Sequence, residues 1–306
     1  MRDYLTRRAL FAIPSLLAVT VLIFLALRAV PGDPAVLLAG DFATMEELAA
    51  MRARWGLDRP LVVQYALFLS HLVRGDLGDS IVSDLPVRDE ILQRFRVTVV
   101  LAFAAIGVAL LIGLSTSLLG ATRPYTVWDY GSTVVAMLGV STPIFWSGML
   151  LILLFAVMLG WLPSGGVGSW QAFILPAVSL GFSAAGIIAR QTRSAMLDVL
   201  RQDYVRTARA KGLQERRVID RHALRNALIP VVTIVGLEFG RMLGGAILTE
   251  TVFSLPGLGS FLIISIAKRD YPVVQGIVLW LALAFVVINM LVDVAYAALD
   301  PRIRYA

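Results

Sequence analysis

The chain has no cysteine among its 306 residues. Disulfides, thiol nucleophiles and cysteine-ligated metals are therefore excluded. Histidine is almost as scarce, with only His71 and His222, far apart in sequence. Charge is sparse too: 16% of residues are charged and 58% are hydrophobic. A water-soluble domain needs more charge than that, so the composition points to a bilayer as the solvent. The sequence also lacks H-E-x-x-H, G-x-S-x-G, GxxxxGK[ST] and CxxC. An enzymatic role has no motif to rest on. Without a phosphate-binding loop, work against a gradient would have to borrow its energy.

A crossing helix needs about 20 apolar residues. Ala9 to Leu27 qualifies and is too long for a signal h-region, with no small-residue cleavage site after it. Val97 to Gly120 is a second uncharged run. Tyr130 to Ala189 holds no charge at all, which suits two spans joined by a turn at Leu162 to Gly166, where proline and paired glycines break a helix. Ala227 to Leu248 and Tyr271 to Val292 complete six spans, with both termini on one side. The net charge of +6 suits contact with anionic lipid or an acidic protein face. Arg2, Arg7, Arg8, Arg123, Arg302, Arg304 and the ten Lys/Arg between Arg190 and Arg225 all fall on one side of such a bundle. The positive-inside rule makes that side cytoplasmic and places residues 31–96 outside. The expected organisation is a tail and first span over 1–30, an extracytoplasmic helical segment over 31–96, a five-helix core over 97–297 with a basic connection at 190–228, and a cytoplasmic tail over 298–306.

The outer segment has structure of its own. "TMEELAAMRARWGL" carries Thr44 and Glu47 in capping-box spacing, and "RPLVVQYALFLSHLVRG" reads as a second amphipathic helix stopped by Gly75. Two roles stand for it: a cap on the outer membrane face, or a docking surface for something delivered from outside. "SLPGLG" opens a stretch too short to span before Lys268, which suits a helix lying on or dipping into the outer face.

Within the spans, Gly236, Gly240 and Gly244 recur every fourth residue, a stripe that permits close helix approach. Pro143 and Pro176 are placed mid-span, where each can kink its helix. Glu238 and Arg241 lie three residues apart inside the fifth span and are expected to pair and to face protein or water. Either they lock the bundle, or, with Ser141 and Pro143, they belong to a translocation path or gate.

The basic connection "DYVRTARAKGLQERRVIDRHALRNALIP" is divided by Gly212 into two helices, Asp203 to Lys211 and Gln214 to Ala227, with Leu213 at the corner. Pro230 falls where the fifth span begins. Such an elbow suits seating in a partner's groove; lying on anionic lipid is the other reading. Nucleic acid is disfavoured, because only Tyr204 interleaves with the basic residues.

The residues resemble the inner-membrane permease subunits of bacterial ABC importers of the peptide/nickel/opine class. "RAVPGDPA", "LGDS", "GVSTPIFWSGMLLILLF", "DYVRTARAKGL", "RHALRNALIPVVT", "ETVFSLPGLG", "RDYPVVQG" and "LDPRIRY" carry the resemblance from Tyr4 to Tyr305. Against the general importer signature E-A-A, three residues, Gly, nine residues, I-x-L-P, the matches are Ala208, Gly212 and Leu224. Arg206 and Thr207 stand at the Glu and first Ala positions, His222 at the Ile and Arg225 at the Pro. The resemblance implies an all-α membrane protein with a type I permease core of six transmembrane helices. It implies ATPase-coupling residues at Tyr204, Arg206, Thr207, Ala208, Arg209, Lys211, Gly212, Leu213 and Leu224. It further implies a homologous second permease, two cytoplasmic ATPases that hold ATP and magnesium, an extracytoplasmic substrate-binding protein, and uptake of di- or oligopeptides or a related solute. The chain itself would hold no cofactor. The alternative is an ion-coupled secondary transporter working without ATPases through Glu238 and Arg241.

Overall fold

A computed structural model describes residues 2–39 and 43–299. The tail at 300–306, with Arg302, Arg304 and most of "LDPRIRY", lies outside the described residues. Among those described the chain is helical, and its only bridge outside helices pairs Asp79 with Pro86. The helices are α1 (Arg2–Ala29), α2 (Pro34–Ala39), α3 (Met45–Arg54), α4 (Leu61–Val73), α5 (Val87–Thr122), α6 (Val127–Ser141), α7 (Ile144–Met158), α8 (Ile174–Leu200), α9 (Asp203–Ala210), α10 (Glu215–Val252), α11 (Leu258–Ala267) and α12 (Tyr271–Leu299). Five of these stretches are long and apolar enough to cross a membrane, and α6 with α7 makes a sixth as a bent pair.

One compact unit comprises residues 2–98 and 256–284. Its core gathers Val87 and Ile91 of α5, Leu258 of α11, and Val273, Val274 and Ile277 of α12, all essentially inaccessible. The capping box at α3 forms as the sequence predicts: the Glu47 N–H donates to Thr44 Oγ1, and the Thr44 N–H to Glu47 Oε2 at 2.8 Å. Gly75 ends α4 region in the left-handed conformation, φ +75°, which only glycine adopts without cost. Here "LGDS" and "RDYP" meet. Asp270 is buried and accepts from Ser80 Oγ at 2.5 Å and from the Ile81 and Val82 N–H groups at 3.2 and 3.4 Å.

The other unit holds residues 99–255 and 285–299. Its central helix is α8, which α6, α7 and α10 pack against and which buries Leu180, Ala184, Ile188 and Met196. Gly139 of α6 lies against the Phe182 carbonyl, and Gly186 of α8 against the Ala136 carbonyl, so this crossing leaves no room for a side chain at either position. The stripe on α10 is used in part. Gly236 meets Val292 and Gly240 meets Phe285, whereas Gly244 faces open space.

Four sequence expectations are corrected. Pro143 does more than kink its span: it breaks it into α6 and α7, whose axes differ by 104°. A residue before proline is driven out of the helical region, and Thr142 is extended (φ −85°, ψ 124°). Pro176 is not mid-span but in the first turn of α8, where no helical bond is lost. The second helix of the elbow does not end at Ala227: α10 continues through it to Val252 with Pro230 inside and a π-helical turn at Val218–Ala223. Finally, the second span is not confined to the uncharged run Val97 to Gly120: its helix α5 starts earlier, at Val87, and ends at Thr122.

Candidate functional site

The elbow is built from α9, the turn at Gly212 and the start of α10. Gly212 has φ +73°, the left-handed geometry that lets the chain reverse after one short helix. Val205 and Ala208, three apart on α9, share one face and are buried with Val218 against Val199, Leu200 and Leu213. Leu224 packs into a neighbouring cluster around Met196, Ala223 and Ala227. Ala208, Leu213 and Leu224 thus hold the elbow to its own chain. Arg206 and Thr207 lie away from that face of α9, and Lys211 and Gly212 follow in the turn past its end; all four are exposed, as is Tyr204.

Two polar clasps fix the bend. Arg209 donates to both oxygens of Glu215, Nη2 to Oε1 at 2.8 Å and Nε to Oε2 at 3.1 Å. The Glu215 carboxylate holds the Arg209 guanidinium above its usual range. At the other end Asn226 Nδ2 donates to Tyr204 Oη at 2.8 Å and to the His222 carbonyl at 3.2 Å. Arg206 lies 3.8 Å from Asp203 with both side chains in the open; exposed pairs of that kind hold weakly. Arg206 and Lys211 are therefore among the cations presented outward, with Arg216, Arg217, Arg221 and Arg225 exposed further along the elbow.

The second group of candidates is not brought into one place. Ser141 ends α6 at the break and, with Ser132, Thr133, Arg190, Arg193 and Ser194, lines a cavity of about 540 Å³ against α8. Pro143 immediately precedes α7, which Ser179 fastens to α8 by donating to the Ile144 carbonyl at 2.9 Å. Glu238 and Arg241 pair on α10, Nη1 to Oε1 at 2.9 Å, with the Glu238 side chain 10% and the Arg241 side chain 67% exposed. Sequence reasoning missed a stronger pair. Asp129 of α6 accepts from Arg193 Nε at 2.6 Å and Nη2 at 2.8 Å, and from the Tyr125 N–H at 3.0 Å. A fork of this kind fixes orientation as well as distance. Asp129 directly precedes the charge-free run and Arg193 follows it three residues after Arg190, and that nearness to its two ends was the only signal available.

Residues 109–305 match the family described as binding-protein-dependent transport system inner membrane component, and residues 1–102 match the N-terminal region of such components. The chain is 48% identical over 305 residues to the glutathione transport system permease protein GsiC of Salmonella choleraesuis, and 47% identical to that of Escherichia coli, covering all of both chains in each case. Among solved structures, one of the MetNI methionine ABC transporter in inward-facing conformations superimposes with a TM-score of 0.59 at 21% identity, over 69% of this chain and 96% of that one. An amino acid ABC transporter gives 0.52 at 17%, over 70% and 94%. These two share the fold. Helices fit to span a membrane, a core that superimposes on importer permeases and a family match over nearly the whole length agree: the chain belongs to the binding-protein-dependent transport system inner membrane components, as a multi-pass permease subunit of an ABC importer and not itself an enzyme.

Proposed function

We propose that this permease imports a peptide-like solute, glutathione or a di- or oligopeptide, and that α9 with the Gly212 turn is the handle through which separate ATPases move it. A homologous second permease completes the path, an extracytoplasmic binding protein delivers cargo, and ATP and magnesium reside on two cytoplasmic partners. Both termini and the elbow face the cytoplasm, as the Lys/Arg bias of the short loops requires. The observation that carries this reading is the division of labour within α9. Val205 and Ala208 anchor one face to the chain's own core, while Arg206 on the helix and Lys211 just past its end stand exposed. A helix held this way transmits a push as a rigid lever. ATP-driven approach of the partners then switches between two discrete arrangements of the spans. The glutathione permeases, alike over the full length, support the substrate class. The ion-coupled alternative has no comparable support.

The test is reconstitution. The chain, its second permease, both ATPases and the binding protein are placed in liposomes and uptake of labelled glutathione is followed. Uptake should require ATP and should fail in Arg206→Glu/Lys211→Glu, with membrane insertion intact. Uptake by this chain alone on an ion gradient, or normal uptake by the double variant, would overturn the proposal.

A further inference from the structure

The unit comprising residues 2–39, 43–98 and 256–284 carries a half-open cavity of about 440 Å³ that neither the elbow nor the gate candidates touch. That size falls within the range of about 300–1,000 Å³ typical of small-molecule sites. Its walls are positioned, not incidental. Gln64 of α4 accepts from Arg28 Nε at 2.9 Å and Nη2 at 2.7 Å, and donates through Nε2 to the Arg59 carbonyl at 2.8 Å. One amide thus ties the end of α1 to the link between α3 and α4. Arg28 also stacks on Phe24, its Cζ 3.5 Å from the ring centroid, which removes its remaining freedom.

Three chemistries converge on this space. Arg28 has five N–H groups, and three bonds to Gln64 and the Phe24 carbonyl account for part of them. Gln275 lines the same cavity, is 5% exposed, and its Nε2 has no hydrogen-bond partner. A buried amide donor left without an acceptor is costly unless something fills the role. Of the carboxylates in the lining, Asp76 is held by His71 and Asp84 by Arg54, which leaves Asp79 for a ligand, and Trp55 and Tyr271 supply apolar surface. Donors, an acceptor carboxylate and aromatic walls together suit a small zwitterion with a carboxylate, an ammonium group and a short side chain.

We propose that this cavity is a binding site for a short peptide with free termini, its carboxylate toward Arg28 and Gln275 and its ammonium group toward Asp79. The inference rests on the importer reading above and adds a waiting site on the delivery side of the permease.

The full chain in lipid nanodiscs is titrated with L-alanyl-L-alanine, its N-acetyl derivative and its C-terminal amide, with binding read by ligand-observed NMR. The free dipeptide should bind, and each blocked form should bind about tenfold more weakly, since each loses one charge-assisted contact. Asp79→Asn should restore parity between free and N-acetyl dipeptide, and Gln275→Leu should weaken the free dipeptide about tenfold. The exposed position of Asp79 keeps the first variant informative should the second unfold. No binding by the wild-type chain, or equal binding of all three compounds, would overturn the site. Transport distinguishes the two readings: ATP-driven uptake by the complete system without dipeptide binding here refutes this site alone, whereas absence of uptake refutes the importer's substrate class.

Discussion

Arg209 and Glu215 clasp each other across the left-handed turn at Gly212, with Nη2 2.8 Å from Oε1 and Nε 3.1 Å from Oε2. Both side chains are about half exposed, so the pair is worth only about 0.2–1 kcal/mol of stability. Its service is geometric, since it sets the angle at which α9 leaves α10. Arg209→Glu alone should reduce ATP-driven uptake severalfold with little change in melting temperature, and the swap Arg209→Glu/Glu215→Arg should recover most of it. Gly212→Pro should abolish uptake outright, because proline fixes φ near −65° and the turn needs +73°. Uptake and melting temperature measured in one preparation check both. A swap that fails to recover would mean that a partner, not Glu215, reads Arg209.

The Asp129–Arg193 fork joins α6 to α8, with the carboxylate almost wholly buried. Arg193→Ala would leave that charge uncompensated, at a cost of about 3–5 kcal/mol. Arg193→Lys should recover only part, since a single ammonium cannot reproduce the two parallel bonds. Thermal unfolding in detergent should rank wild type above Lys and Lys above Ala. A melting point unchanged in the Ala variant would show that the fork contributes nothing.

How much of this was readable beforehand follows from the reach of each signal. The spans were legible because bilayer thickness dictates the length of an uncharged run. The Thr44/Glu47 box and the Gly212 turn were legible because each is decided within a few residues. Pro143 and Pro230 were misread in opposite senses. The extended Thr142 lets the chain turn by 104° at Pro143, while Pro230 is absorbed inside α10, downstream of a π-helical turn. Asp129 with Arg193, and Ser80 with Asp270, are far apart in the chain; only packing brings them together. The cavity at Gln275 was invisible for the same reason.

The Ser80–Asp270 bond is the second long-range lock. Ser80→Ala should cost about 1–3 kcal/mol by leaving a buried carboxylate oxygen short of a donor. Asp270→Ala should cost more, because it also strands the Ile81 and Val82 N–H groups. Hydrogen exchange across 78–83 should accelerate in both, and faster in the second. Equal protection in Asp270→Ala and wild type would contradict this account of the loop.

Acid should loosen the neighbouring turn first. The Gly78 N–H and then His71 hold the Asp76 carboxyl below the usual carboxylate range, with the N–H at 2.8 Å and His71 Nδ1 at 2.8 Å. A depressed folded pKa means the contribution is complete above the unfolded value of about 3.9 and is lost as pH falls through the folded one. Protection of residues 75–80 should therefore decline below about pH 4. Asp76→Asn should remove that acid-dependent step. A decline that persists in the variant would assign it to another carboxylate.

Glycines in the spans offer the sharpest contrast between packing and propensity. Gly139 and Gly186 face carbonyls across the α6–α8 crossing, so Gly139→Ala or Gly186→Ala must push the helices apart, at about 1–3 kcal/mol each. Gly244 belongs to a repeating stripe that looks equally suited to helix contact, yet it faces open space. Gly244→Ala should be neutral or should stabilise by up to about 1 kcal/mol through helix propensity. Melting temperatures in detergent and in the assembled importer separate two cases. Tolerance in both means that the stripe ends at Gly240, whereas loss only on assembly means that a second permease packs against Gly244.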